Sequence, residues 1–180
     1  MKKIIAITGM PGSGKSTVVE LLKKDGFKFA SMGDAVRKEM SDKGLEINNI
    51  SLRNYALRMG EISEYYALEL VKKELDNLLR DNDVVVLDGV RRLAEINKLK
   101  QYGYAIISVG VIADKNMRYE RMVKRARSSD IKTFEEFEWR EAQELKFGVA
   151  GVMATADYHI INNSGIDELT SNLKELLRKI

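Results

Sequence analysis

Short unbroken apolar runs alternate along this chain with longer stretches in which apolar residues return every three or four positions. Ile4-Ile5-Ala6-Ile7 and Val84-Val85-Val86-Leu87 are of the first kind. Consecutive apolar side chains project from both faces of a strand, so such strands are expected to be buried on both faces. The pattern predicts strands near Lys3–Thr8, Lys28–Ser31, Asp83–Asp88, Ala105–Ile112 and His159–Asn162. Val18, Val19, Leu21 and Leu22 illustrate the helical spacing. Helices are expected near Lys15–Lys24, Asp34–Lys43, Leu52–Met59, Ile62–Arg80, Arg91–Gln101, Lys115–Arg127, Phe134–Phe147 and Ile166–Lys179. Asp114, Thr133 and Gly165 fit their borders. Alternating strands and helices predict an α/β fold, with about five parallel strands covered by helices on both faces. Two stretches exceed simple crossovers: an all-helical one over about 34–80 and a charged helical one over about 115–148. Ligands of such sheets bind at the carboxyl ends of the strands. Both insertions could close over a site there.

Composition narrows the picture without redirecting it. The chain has 180 residues, 44% hydrophobic and 32% charged, which suits one domain, 1–180, with a real core. Its core would comprise residues 1–33, 81–114 and 149–180. A net charge of +3 does not point to nucleic acid as a partner, and it suits a site for polyanionic phosphates. Cysteine is absent, which excludes disulfides and thiolate metal sites. No apolar run approaches the roughly 18 residues of a membrane span. The first strand begins at once, with no leader pattern, so no membrane partner and a cytoplasmic location are expected. A monomer or small homo-oligomer is expected as well.

The most specific chemistry lies between the first strand and the first helix. Gly9-Met10-Pro11-Gly12-Ser13-Gly14-Lys15-Ser16 matches the phosphate-binding loop that wraps backbone N–H groups around a phosphate chain. Glycines let that backbone approach oxygens that a Cβ would exclude. Lys15 is placed to reach the β/γ-phosphates and the Ser16 hydroxyl to bind Mg²⁺. Thr17 opens the helix, whose positive end faces the phosphates.

Other candidates are weaker singly. Asp88 ends the buried third strand and is followed by Gly89, Arg91 and Arg92. A carboxylate there orients Mg²⁺ or its water, or it caps the next helix. Asp34, in Gly33-Asp34-Ala35-Val36-Arg37, is either a helix cap or a group that orients an incoming oxygen nucleophile or accepts its proton, with Arg37 a fork for an acceptor phosphate. Arg118, Arg121 and Arg125 recur at helical spacing, as a solvated face or as a lid that meets charge during transfer.

In these residues the chain resembles the nucleotide-kinase-like branch of the P-loop proteins, which includes adenylate kinases and dephospho-coenzyme A kinases. The matching pieces are Gly9 to Thr17, Gly33-Asp34-x-x-Arg37, Asp88-Gly89-x-x-Arg92, Arg121-x-x-x-Arg125 and Ala156 to Gly165, in family order. It is most similar to a group of small archaeal adenylate-kinase-like proteins whose substrate is not settled. The resemblance implies a P-loop three-layer sandwich with a helical acceptor-binding insert at about 34–80 and a lid at about 115–148. It implies ATP and Mg²⁺ as ligands, with Gly9, Met10, Pro11, Gly12, Ser13, Gly14, Lys15, Ser16 and Thr17 on the ATP phosphates. Ser16 and Asp88 would hold the metal. Arg121 would lie near the adenine and phosphates, Arg125 near the transferred group, and Asn163 in the loop that borders the adenine. Asp34, Arg37 and Arg92 would hold the acceptor.

Departures from the pattern matter. Adenylate kinases carry a proline where Arg91 stands, and a glutamine near Ile96, beside Glu95. That leaves AMP as acceptor in doubt. Trp139 is read as lid packing, and the lone His159 as structural. The function expected is ATP- and Mg²⁺-dependent phosphoryl transfer to a small nucleotide or nucleotide-like acceptor, of nucleoside monophosphate or dephospho-coenzyme A type. The alternative is a nucleotide-dependent regulatory ATPase or switch with a protein or RNA partner. Against it, Asn97-Lys98-Leu99-Lys100 lacks the aspartate of a guanine-reading loop.

Overall fold

A computed structural model describes residues 1–124 and 131–180. Arg125 and Arg127 therefore lie outside the described residues. The elements, in chain order, are β1 (Lys3–Thr8), α1 (Lys15–Lys24), β2 (Lys28–Ser31), α2 (Met32–Asp42), α3 (Asn49–Ile62), α4 (Tyr66–Asp81), β3 (Val84–Asp88), α5 (Leu93–Gln101), β4 (Ala105–Ile112), α6 (Lys115–Lys124), α7 (Phe134–Phe147), α8 (Val149–Ala154), β5 (Tyr158–Ile161) and α9 (Ile166–Leu177). The sheet has five strands in the order β2-β3-β1-β4-β5. Every neighbouring pair is parallel, with Ile5 of β1 opposite Val86 of β3 and Ile107 of β4. The expected α/β class and three-layer arrangement are both present.

The period of two in the strands builds the two faces. Ile4, Ala6, Val85 and Leu87 point one way and pack on Leu68, Val71, Leu75 and Leu79 of α4, with Leu99 of α5. Ile5, Ile7, Val86, Val109 and Val111 point the other way, onto Val18 and Leu22 of α1 and Leu169 and Leu173 of α9. Each of the Ile, Leu and Val side chains among these, fully buried, stabilises the fold by roughly 1.5–3 kcal/mol before entropy is counted. A smaller cluster of Met122, Ile131 and Phe137, flanked by Tyr119, joins α6 to α7.

Element borders differ from expectation where local chemistry overrides spacing. Asn48 and Ser51 form a capping box that starts α3 three residues early, and α3 runs on to Ile62. Ser63 ends it, and α4 begins afresh at Tyr66. Ser31 caps α2 by accepting from the backbone N–H of Asp34, at 3.2 Å, so Asp34 sits in the first turn and is not the cap. Asp88 is not the cap of α5 either: Glu95 Oε2 accepts from the N–H groups of Arg91 (2.9 Å) and Arg92 (3.0 Å). Thr133 caps α7, as expected, in a capping box with Glu136. The short helix α8 follows Gly148, whose φ of 97° ends α7, and has no counterpart in the expected pattern. Trp139, expected as lid packing, is 42% exposed, and it is Phe137 that fills the small cluster between α6 and α7.

Candidate active site at the phosphate loop

The loop between β1 and α1 is held in a shape only glycine allows at three points. Gly9 has φ 152°, and a Cβ there would lie 2.5 Å from the Val111 carbonyl oxygen and 2.8 Å from Ser13 Oγ. A Cβ on Gly12 (φ 77°) would reach 2.5 Å from the Arg118 carbonyl oxygen, and one on Gly14 (φ 100°) would overlap the Asn162 amide. Neighbouring elements brace the loop from two sides. Asn162 Nδ2, at the end of β5, donates to Ser13 O at 2.8 Å. Arg118 of α6 donates from Nη1 to Pro11 O (3.3 Å) and from Nε to Ala113 O (3.0 Å), and it pairs with Glu141 of α7. Arg118 thus supports the loop, while Arg121, one turn on, lines the cavity. Arg121 Nη2 lies 3.4 Å from both Asn162 Oδ1 and Ser164 O. Asn163 Oδ1 accepts from the Asp114 N–H at 2.9 Å, which ties the ends of β4 and β5 together. His159 Nε2 lies 2.7 Å from Met153 O, in a structural contact.

Lys15 Nζ donates back to the carbonyls of Gly9 and, at 3.1 Å, Met10. Burial lowers its pKa from 10.5 to about 8, although Glu144 and Asp88 pull upward. Such an ammonium lacks an anionic partner close enough to offset its desolvation. Beside it, the Asp88 carboxyl is raised by burial, with Lys15 and Arg91 pulling down. Its Oδ1 is buried without a hydrogen-bond partner, as is Ser13 Oγ. An orphaned carboxylate oxygen is expensive unless a cation or an ordered water satisfies it. Mg²⁺ takes one or two protein oxygens and fills its remaining positions with water and substrate phosphates. Asp88 and Ser16, the latter lining the cavity, fit that demand. Among the described residues, no group of three acidic or histidine side chains forms a cation cage from protein alone.

The cavity above the loop has a volume of about 540 Å³. One part of its wall is Gly12 and Gly14 to Thr17; another is Met32, Val36, Leu52, Arg53 and Tyr66, from α2, α3 and α4. Of the arginines expected on the acceptor, Arg37 lines this wall but pairs with Asp34, and both side chains are more than half exposed. Arg92 Nη1 donates to Gly60 O of α3 at 2.7 Å, crossing the helix where a Cβ would obstruct it.

Sequence reasoning missed the centre of the charge cluster. Glu144 of α7 is buried, with Oε2 at 3.0 Å from Arg91 Nε and Oε1 at 3.7 Å from Arg53 Nη2. Burial alone would raise its pKa, yet Arg91, Lys15, Arg53 and Arg140 outweigh it and hold the carboxyl below its ordinary value. Arg53 is pushed down to about 10 by burial first, then by Arg140, against the pull of Glu144. Arg91 also lies 4.8 Å over the Phe147 ring. The one signal available beforehand was the four-residue spacing of Arg140 and Glu144 on a helix face.

Residues 5–146 match the AAA domain family. A UPF0200 protein of Thermococcus onnurineus is 41% identical over 180 residues, covering 98% of this chain and 97% of that one. The chain belongs to the UPF0200 family. Its fold is that of P-loop kinases. TT1252 from Thermus thermophilus superposes with a TM-score of 0.71 at 20% identity, covering 99% of this chain and 98% of that one. A dephospho-CoA kinase from Campylobacter jejuni superposes with a TM-score of 0.55 at 16% identity, covering 99% and 97%. These two likenesses concern the fold alone. No helix among the described residues of this UPF0200 protein is long and apolar enough to cross a membrane.

Proposed function

We propose that this protein is a Mg²⁺-dependent phosphotransferase that moves the γ-phosphoryl group of ATP to a small nucleotide or nucleotide-like acceptor. The observation that carries it is a single cavity with a phosphate loop on one wall and arginines of a helical insert on the other. Two phosphate-facing walls fit two substrates better than the single nucleotide of a switch. The segment α2–α4 serves as the acceptor side and α6–α7 as the lid. Lys15 turns from the Gly9 and Met10 carbonyls to the β/γ-phosphates, which replace them as partners for the ammonium. Asp88 and Ser16 hold Mg²⁺, which supplies charge neutralisation on the phosphates. Arg121 and Arg125 meet charge on the transferring group, and Asn163 keeps the base-bordering loop in place. The protein's work is chiefly positioning and electrostatics, since phosphoryl transfer needs little covalent help.

The test is incubation with Mg²⁺ and ATP against a panel of nucleoside monophosphates, nucleosides and dephospho-coenzyme A, with phosphorylated product as the readout. Transfer to one class is expected, and Lys15→Ala should abolish it. No transfer to any member, with hydrolysis stimulated by a protein or RNA partner instead, would overturn the assignment. Full turnover in Lys15→Ala would move the phosphate site elsewhere.

A further inference from the structure

Two backbone donors of the phosphate loop have no acceptor in the protein. Gly12 and Gly14 both line the cavity, and among the described residues neither N–H donates to a protein atom. Each N–H belongs to a trans peptide unit, in which the carbonyl of the preceding residue points the opposite way. Both of those carbonyls are held from outside the loop. Asn162 Nδ2 donates to Ser13 O at 2.8 Å, and Arg118 Nη1 donates to Pro11 O at 3.3 Å. Neither Arg118 nor Asn162 lines the cavity, so the two carbonyls turn away from it and the two N–H groups turn toward it. The Arg118 guanidinium is buried and engaged on every side. Its Nε donates to Ala113 O at 3.0 Å, its charge lies 5.5 Å over the Phe137 ring, and Glu141 of α7 supplies the counter-charge.

We propose that Arg118 is a positioning residue of the phosphate site, oriented by Glu141: it holds the Pro11–Gly12 peptide so that the Gly12 N–H meets an oxygen of a polyphosphate chain, as Asn162 does for Gly14. This role rests on the phosphate-loop reading of Gly9 to Ser16 and is independent of the acceptor. Proline cannot supply this order alone. Pro11 fixes its own φ, whereas the plane of the next peptide turns on the Pro11 ψ and on the φ of Gly12, which has no Cβ to restrain it. Glycine thus gives the loop close approach together with looseness, and Arg118 removes the looseness at Gly12. A donor already aimed costs no reorganisation when the anion arrives. Arg118 comes from α6 and Glu141 from α7, so the loop keeps its shape only while this helix pair is docked. Removing Glu141 strands a buried guanidinium, which then leaves Pro11 for water.

The experiment titrates tripolyphosphate with Mg²⁺, a ligand without base or sugar, into the full chain well below the thermal midpoint of every variant. Arg118→Met keeps an unbranched side chain and removes its donors. Its Kd should rise at least about tenfold over wild type, the loss of one charge-assisted hydrogen bond. Glu138→Gln breaks an exposed ion pair to Lys115 of the same two helices and should leave Kd within about twofold. An unchanged Kd in Arg118→Met, whatever its midpoint, overturns the proposal, and so does an equal rise in Glu138→Gln. Amide NMR supplies a readout that a merely structural arginine would not move. Tripolyphosphate should shift the amide protons of Gly12 and Gly14 downfield in wild type, and only that of Gly14 in Arg118→Met. A Gly12 shift as large as that of wild type overturns the proposal. Should Arg118→Met fail to fold, Glu141→Gln keeps the arginine and removes its orienting charge. Its Kd should rise several-fold, and an unchanged value overturns the proposal equally. Failure of wild type to bind tripolyphosphate strikes at the phosphate loop itself; binding that the variants leave untouched strikes at Arg118 alone.

Discussion

Lys15 links the site's electrostatics to pH. Its pKa of about 8 is lower than the 10.5 of an ordinary lysine, so between those values the unfolded chain binds the proton that the folded chain has lost. Stability therefore rises with pH across that window, and below about pH 8 the full penalty of the buried ammonium is present. Phosphate oxygens supply the missing partner and raise the pKa again. Binding of Mg²⁺ and ATP should draw a proton from buffer near pH 8.5 and none near pH 6.5, by about the fraction of Lys15 that was neutral. Calorimetry in two buffers of different ionisation enthalpy checks it. Apparent enthalpies should separate at the higher pH and coincide at the lower; coincidence at both would show that Lys15 is already charged throughout. The phosphate loop and Asp88 were legible in the sequence because their neighbours along the chain define them. Glu144 was not, because its meeting with Arg53 and Arg91 depends on α3, α7 and the end of β3 converging. Arg91 was visible only as a departure from a pattern, and its partner makes sense of it.

Helix α3 shows how a single element serves both packing and the site. Gly60 lies where Arg92 crosses it, and an added Cβ would meet the guanidinium. In a helix alanine is favoured over glycine by about 0.8–1 kcal/mol, while at this half-buried position the lost hydrogen bond costs about 0.5–1.5 kcal/mol. Gly60→Ala should thus leave the thermal midpoint nearly unchanged, while expelling Arg92 from its bond to the Gly60 carbonyl. If Arg92 helps to seat the acceptor, KM for the acceptor found by the panel rises several-fold and KM for ATP stays put. An unaltered acceptor KM would reduce Arg92 to a strut between β3 and α3. The elements themselves were largely foreseeable, since both-face burial makes β1 and β3 near-continuous apolar runs. The exceptions have local causes. The capping box at Asn48 lengthens α3 against its weak apolar spacing, and the six residues of α8 are too few to display a helical period.

The molecule is unevenly built. The sheet and the helices on its two faces share the two large apolar clusters, and α4 alone contributes Leu68, Val71, Leu75 and Leu79. Helix α3 contributes no buried apolar side chain; among its described side chains only Arg53 is buried, and Ile50 and Ile62 are exposed. It is tied to the body partly through polar contacts to Glu144 and Arg92. Segments with few buried apolar contacts open at lower free energy than the global transition. Amide hydrogen exchange should therefore run faster in α3 than in α4. An acceptor seated in the cavity against α3 adds ties that the open form lacks, so the acceptor found by the panel should slow exchange in α3 and leave the rates in α4 and the strands almost unchanged. The same acceptor would thus occupy the site and close the wall that lines it. Equal protection of α3 and α4 without ligand, or an acceptor effect spread evenly over the chain, would mean that α3 belongs to the rigid body and that closure happens elsewhere.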